Sequence, residues 1–447
     1  MLTVSEALDR ADHIITAARK AGADAADALY YCDAATSVSM RLGKLEDVES
    51  SVSQDIALRV FIGQRSASVS SADMDAAALT ALVERCVAMA REAPEDEFAG
   101  LAPADRLMTE PGADLDLDDG SEPDPQALRS AALAAEDAAR SVAGVTNSEG
   151  GSAGHSRVRF ALATSHGFAG GYGMSAHSLS ASVIAGEGSG MQRDYGWHSA
   201  RHHGELEAPE VIGRRAGDRA VARLNPGKAP TGKLPVLFDP RVGGSLVGHL
   251  IGAIGGPAIA RRTSFLLEKL DDVLFDSAIV IRDEPHRPRG LRSRTFDGEG
   301  LPTAARDIVA GGRVTGWLID SASGRQLGLP PTGHASRGGG ASGVAVSNVH
   351  LAAGSITPTA LMADVATGIY VTELIGQGVN PVTGDYSRGA SGFAIRGGVL
   401  AEPIAEFTIA GNLIDMFGAL IAADDLEYRY ATNVPTLRID GMTVASS

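Results

Sequence analysis

Apolar residues recur at helical spacing over residues 5–21, where Ala7, Leu8, Ala11, Ile14, Ile15 and Ala18 share one face. The period then shortens to two. Val38, Met40 and Leu42 alternate with polar residues, as do Ile56, Leu58, Val60 and Ile62, and this predicts half-buried antiparallel strands. Helical spacing returns over residues 76–93, with Leu79, Leu82, Val83 and Val87 on one side. Helix, strands and helix make a small N-terminal α+β unit over residues 1–93.

The pattern breaks at residues 94–124, a run rich in Pro, Asp and Glu that predicts a solvated acidic connector. A helix at 125–142, strands in "RVRFALATSHG" and "HSLSASVIAGEG", and a helix at 209–224 form a middle α+β unit over 125–224. The Pro/Gly-rich "LNPGKAPTGKLP" reads as a hinge. Beyond it lies a larger, strand-rich C-terminal domain, 230–447, broken by helices at 243–254 and 358–375. Within that domain "FAI" and "VLAEPI" flank Gly397-Gly398, a strong hairpin signal. The fold class expected is α+β, with no repeat of solenoid type.

Composition narrows the function. A hydrophobic content of 44% with 21% charged residues is that of a folded globular chain. A formal charge of −16 argues against nucleic acid as a partner, since phosphate binding needs a basic face. Two cysteines, Cys32 and Cys86, suit a reducing compartment, and the acidic amphipathic N-terminus lacks the marks of a signal peptide. The expected address is the cytoplasm. Residues 242–260 carry no Asp, Glu, Lys or Arg, yet their glycines, His249 and Pro257 argue against a membrane span.

That same run holds the first candidate chemistry. On a helical wheel Gly244, Gly248 and Gly252 form a stripe that would admit another backbone closely, with Ser245 and His249 together on its flank. The pair lacks an orienting carboxylate and the turn expected of a serine hydrolase. No H-E-x-x-H pattern occurs either. "WHSARHHGELE" offers His198 and His202 at i, i+4 if helical, with His203 and Glu205 after them, but a metal there would need a further ligand. His334 in "PTGHAS" reads as a structural turn residue. "GDYSRGASG", with Asp385, Tyr386, Ser387 and Arg388, reads as a loop whose N–H groups could contact an anion, an extended peptide or a partner.

Several longer blocks carry a resemblance. "RDYGW", "FDGEGLPTAARDIVAGGRVTGWLIDSASGRQLG", "PTGHA", "TGIYVTELIGQGVNPVTGDYSRGASGF" and "EFTIAGNLIDMF" resemble the PmbA (TldE) family, part of the TldD/PmbA group long labelled modulators of DNA gyrase. The similarity is clearest over residues 190–420 and weaker before them. It implies a cytoplasmic proteolytic system in which a TldD-like chain binds zinc through H-E-x-x-x-H and a later Cys. The PmbA-like chain would pair with it in a heteromer that degrades unfolded peptides.

Carried onto this sequence, the TldD-like motif falls on residues 244–249. Gly244 replaces the first His, Ser245 replaces the Glu, and only His249 remains. The resemblance therefore implies a degenerate metal site, no catalytic residue and no cofactor in this chain, with zinc in the partner. Two alternatives stay open: a self-sufficient peptidase built on His198, His202, His249 or His334, and a protein-binding regulator of gyrase or of a toxin–antitoxin pair. The chain alone could also form a homodimer.

Overall fold

The structure is a computed structural model that describes residues 1–337 and 343–446; residues 338–342 and 447 of the expected C-terminal domain lie outside it. Residues 1–222 build on one antiparallel sheet. Its strands are β1 (Ala25–Arg41), β2 (Lys44–Ile62), β3 (Arg65–Ser71), β4 (Val145–Thr164), β5 (Ala169–Ala185) and β6 (Gln192–Ala200). They lie in the order β3-β2-β1-β4-β5-β6. The two N-terminal units expected from the sequence thus share a sheet, because β1 pairs with β4 from Asp27↔Thr164 to Met40↔Gly151. The alternation that predicts these strands says nothing about which strand pairs with which, so it could not show this join.

Four helices cover one face of the sheet: α1 (Val4–Lys20), α2 (Ala76–Glu92), α3 (Pro125–Arg140) and α4 (Pro209–Ala222). Side chains alternate along a strand, so the even-numbered residues of β1 share this face. Ala26, Ala28, Tyr30 and Cys32 pack with α1 and α2, while Val38 and Met40 pack with α3 and α4. Thr3 starts α1 with a capping box to Glu6, and Asp124 caps α3 ahead of Pro125. The odd-numbered face turns to the C-terminal domain, where Leu29 meets Phe296 and Asp27 pairs with Arg337.

The acidic connector is not simply solvated. Leu115 and Leu117 are buried, and the Leu117 carbonyl accepts from the Ser175 amide at 2.9 Å. Asp118 pairs with Arg159 at 2.9 Å and with Arg157 at 3.4 Å. The segment is a strap across the sheet; its acids have partners that local composition does not reveal.

The C-terminal domain includes a barrel. In sheet order its strands are Val399–Asn412, Asp385–Arg396, Thr367–Ile375, β7 (Gly232–Phe238), Leu437–Ser446 and Leu420–Ala422. Val399–Asn412 also pairs with Leu437–Ser446, from Phe407↔Ser446 to Ala410↔Thr443, which closes the sheet. The hairpin at Gly397-Gly398 is present, with φ of 56° and 83° at those residues, values that favour glycine in a two-residue turn. The helix expected over 358–375 is only Pro358–Met362. From Thr367 the chain is strand, with Ile369 and Val371 buried and period two replacing period 3.6. Among the described residues no helix is long and apolar enough to cross a membrane.

Candidate functional site

The helix α5 (Pro240–Ala253) follows β7 directly. Its start is well specified: the Asp239 side chain accepts from the Arg241 amide at 3.0 Å, and Pro240 occupies the first turn. Leu246, Val247, Leu250 and Ile254 anchor it in the domain core with Phe238, Ile369 and Leu437. Among the described residues no other segment of this chain packs closely on the glycine stripe. Gly248 and Gly252 face open space, where a Cβ would meet no atom of the described residues within 4 Å, and a Cβ on Gly244 would come no closer than 3.5 Å to the Thr432 carbonyl oxygen. The tight contact is made instead by Gly243, against Val434 and Leu437.

The "GDYSRGASG" segment is also not a loop. Residues 385–392 belong to the strand Asp385–Arg396, which pairs with Val399–Asn412 from Asp385 on and with Thr367–Ile375 from Gly389 on. Tyr386 bridges to Val379 and the Ser387 amide donates to the Gly378 carbonyl, so little free edge is left for an added strand. Alternation along the strand splits the four candidates. Tyr386 and Arg388 point inward and are buried, while Asp385 and Ser387 are exposed. Asp385 accepts from Thr383 Oγ1 at 2.7 Å and Asn412 Nδ2 at 3.2 Å, bonds that hold its carboxyl below the usual range.

Tyr386 and Arg388 meet α5. The His249 ring stands edge-on to Tyr386, with centroids 6.0 Å apart. His249 Nε2 and the Tyr386 hydroxyl are both buried without a hydrogen-bond partner among the described residues. Burial, and then the nearby Arg388 charge, lower the His249 pKa and favour the neutral ring. Burial pushes the Tyr386 phenol up to about 12. The Ser245 hydroxyl donates to the Val242 carbonyl at 2.7 Å, within its own helix. Ser245 and His249 thus form no nucleophile–base couple.

Gly244, Ser245 and Arg388 line a cavity of about 820 Å³ between α5, the strand Thr367–Ile375 and the outer strand β6. Sequence reasoning missed most of its charge. Arg193, Arg223, Arg241 and Arg292 line it together with Arg388, against two carboxylates, Asp194 and Glu373. Asp194 is almost fully buried and accepts from Arg241 at 2.8 and 3.2 Å and from Arg223 at 3.4 Å. Burial pushes its carboxyl up, but the Arg241 and Arg223 contacts outweigh that and hold it low. "RDYGW" was the available signal, since it supplies Arg193, Asp194, Tyr195 and Trp197 to one wall.

The histidines of "WHSARHHGELE" do not come together as a ligand pair. His198 lies on β6 and its Nδ1 accepts from the Glu207 amide at 3.2 Å. His202 lies past the strand end, 3.0 Å from the Asp116 carbonyl oxygen. His203 opens a short 3-10 turn that includes Glu205, and its ring abuts His177. The segment is extended because it pairs with β5 through His177↔Ala200, which defeats any i, i+4 arrangement. His334 is buried, 2.9 Å from Thr332 Oγ1 and 3.4 Å from Asp283, in a structural setting. Among the described residues no group of three or more His, Cys, Asp or Glu side chains is placed to hold a metal ion.

Comparison with known proteins decides the family. Residues 231–446 match the model of the PmbA/TldA metallopeptidase C-terminal domain, 118–224 the central domain and 33–90 domain 1. The chain is 38% identical to "Metalloprotease PmbA" of Escherichia coli O157:H7 over 411 residues, 92% of this chain and 89% of that one. The chain belongs to the PmbA/TldD family. A "Metalloprotease PmbA homolog" of Haemophilus influenzae is 37% identical, over 96% of this chain and 94% of its own. Among solved structures, a candidate modulator of DNA gyrase from Bacteroides thetaiotaomicron superposes with a TM-score of 0.91 at 26% identity, covering 98% of both chains. TldE from Thermococcus kodakarensis shares the fold, with a TM-score of 0.86 at 19% identity over 98% of this chain and all of that one. In PmbA/TldD terms, α5 and the cavity beside it lie mainly in the C-terminal domain, while β6 of the central domain forms the facing wall.

Proposed function

We propose that this chain is the PmbA/TldE-like, non-catalytic subunit of a cytoplasmic zinc metallopeptidase complex that acts on unfolded or extended peptides, with the zinc held by a TldD-like partner. One observation carries the reading. Where a TldD-like H-E-x-x-x-H would supply two ligands and a base, α5 has Gly244, Ser245 and His249, and the charged neighbour of His249 is the Arg388 cation. Zinc needs anionic or neutral donors in number, and a guanidinium beside a single imidazole opposes a second cation. The residues present therefore do not fit a zinc centre, and α5 supplies neither the ligands nor the base that water activation would require.

What the chain contributes on this reading is a wall of the peptide chamber. The exposed glycine face of α5 leaves room for a second chain to approach, and the arginine-rich cavity opens beside it. The test is zinc content and peptidase activity of the chain purified alone and then mixed with a TldD-like subunit. Zinc and activity are expected only in the mixture. Stoichiometric metal with activity in the lone chain would overturn the proposal.

A further inference from the structure

We infer that the cavity beside α5 binds a peptide carboxylate, and that Arg388 is the residue that receives it. The inference deepens the reading of this chain as a peptide-handling subunit and rests on it. It begins from charge. The cavity sets five arginines against two carboxylates in a chain whose formal charge is −16. Three of the arginines have carboxylate partners: Arg193 with Glu149 at 3.5 Å, Arg241 with Asp194 at 2.8 Å, and Arg223 with Asp194 and Glu373. Arg292 and Arg388 have none among the described residues.

Of these two, Arg388 is the one whose lack of a partner has physical consequence. Arg292 is exposed, so water solvates it. Arg388 is only 8% exposed, and the one hydrogen bond it makes among the described residues is a long one, 3.4 Å from Nε to the Ile375 carbonyl. A buried guanidinium with spare donors is costly unless an anion meets it. Its planar fork matches a carboxylate, which can accept two parallel N–H bonds. Two buried polar atoms without a hydrogen-bond partner among the described residues, His249 Nε2 and the Tyr386 hydroxyl, lie beside it. Trp197, Val242 and Leu291 add apolar wall in the same cavity, against which aliphatic side chains of a peptide can lie.

Trp197 also supplies the readout, since it lines the cavity while Trp317 is buried in the core. The full-length chain is titrated with N-acetylated hexa-alanine as the free acid, as the C-terminal amide, and as an amide ending in Glu, following tryptophan fluorescence and calorimetry. The free acid is expected to bind about tenfold or more tighter than the simple amide, the difference made by one charge-assisted pair. Binding of the Glu-terminated amide at the level of the acid also supports a carboxylate site and shows that a side chain can supply it. In Arg388→Gln the preference for the acid should vanish, and in Arg388→Lys it should be partly kept. Equal affinity for acid and amide in the unaltered chain, no binding of either, or an undiminished acid preference in a folded Arg388→Gln protein would each overturn the inference. The acid-to-amide ratio of the unaltered chain needs no variant, so misfolding of Arg388→Gln leaves the test decisive. Metal content and peptidase activity play no part in these measurements. Failure of the subunit reading would show in metal and activity, and failure of the carboxylate site in the binding ratio.

Discussion

Two charge sites in this molecule, one half-buried and one buried, have opposite outcomes. At Glu207 one carboxylate joins α4 to the C-terminal domain: it accepts from Arg215 at 2.7 and 2.8 Å, and from Arg429 at 2.5 and 2.9 Å. Those bonds hold the Glu207 carboxyl far below its usual range. At Arg388, more deeply buried, no carboxylate arrives from the described residues. A shortage of acids is not the reason, for the chain has 55 Asp and Glu against 39 Lys and Arg. The difference lies in place. Glu207 bridges two regions of the chain, whereas Arg388 lines a cavity with room for something from outside. A satisfied half-buried charge marks a joint, and a buried one without a carboxylate beside a void marks a site.

The largest effect expected is at the joint. Glu207→Ala leaves Arg215 and Arg429 facing each other without their shared anion. Breaking a fully buried pair costs ~3–5 kcal/mol; with Glu207 about a quarter exposed, roughly 2 kcal/mol is expected. Urea unfolding measures it. A loss below a few tenths would mean that the joint is solvated and the comparison empty. The pH dependence has a definite sign. A lowered folded pKa gives stability that is present above the ordinary glutamate value of 4.5 and is lost as pH falls toward the folded value, and Glu207→Ala should remove that part of the acid sensitivity.

The second effect runs the other way. Arg388→Met removes a buried cation that no carboxylate of the described residues compensates, so stability should hold or rise by about 1 kcal/mol. A loss of ~2 kcal/mol or more in the same urea experiment would show that Arg388 holds the barrel together, and would erase its contrast with Glu207.

Much of the fold is legible in the sequence because period and punctuation are local signals. Five of the six helices expected appear close to the expected bounds, and the Gly397-Gly398 hairpin is where its turn residues place it. The failures are non-local. Nothing in residues 25–41 announces that β1 will pair with β4 as well as β2, so the sheet that joins the two N-terminal units is not legible in the sequence. "GDYSRGASG" looks like a loop because small residues are permissive. In the barrel, its Gly389 and Gly392 instead let neighbouring strands lie close: a Cβ on Gly392 would fall 2.0 Å from the Tyr370 carbonyl oxygen. The candidate site is half legible. Gly244, Ser245, His249 and Arg388 stand out in the sequence and do fall together. Arg193, Arg223, Arg241 and Arg292 come from four separate segments and could be gathered only by the fold.

The glycine face of α5 sharpens the same contrast between filled and open space. Gly248→Ala adds a methyl where no atom of the described residues lies within 4 Å, and alanine is the better helix former. The isolated chain should gain about 0.5–1 kcal/mol, read from its unfolding midpoint. If a partner helix or strand packs on this stripe in the complex, the same variant should assemble more weakly by analytical ultracentrifugation. Gain alone with unchanged assembly would place the partner elsewhere.

The smallest effect tests whether Arg388 truly acts as a free cation. His249 has its pKa lowered from 6.5 first by burial and then by the Arg388 charge. Arg388→Gln removes the second cause and leaves the first, so the His249 pKa should rise yet stay below 6.5, as followed by proton NMR of the imidazole ring. The linked stability has the sign of a depressed group: it is full above 6.5 and is lost as pH falls through the folded pKa. Because the variant narrows the gap between folded and unfolded values, it should lose less stability on acidification than the parent chain. An unmoved His249 pKa would mean that the Arg388 charge is already neutralised, and the contrast with Glu207 would then disappear at the one atom that reports on it most directly.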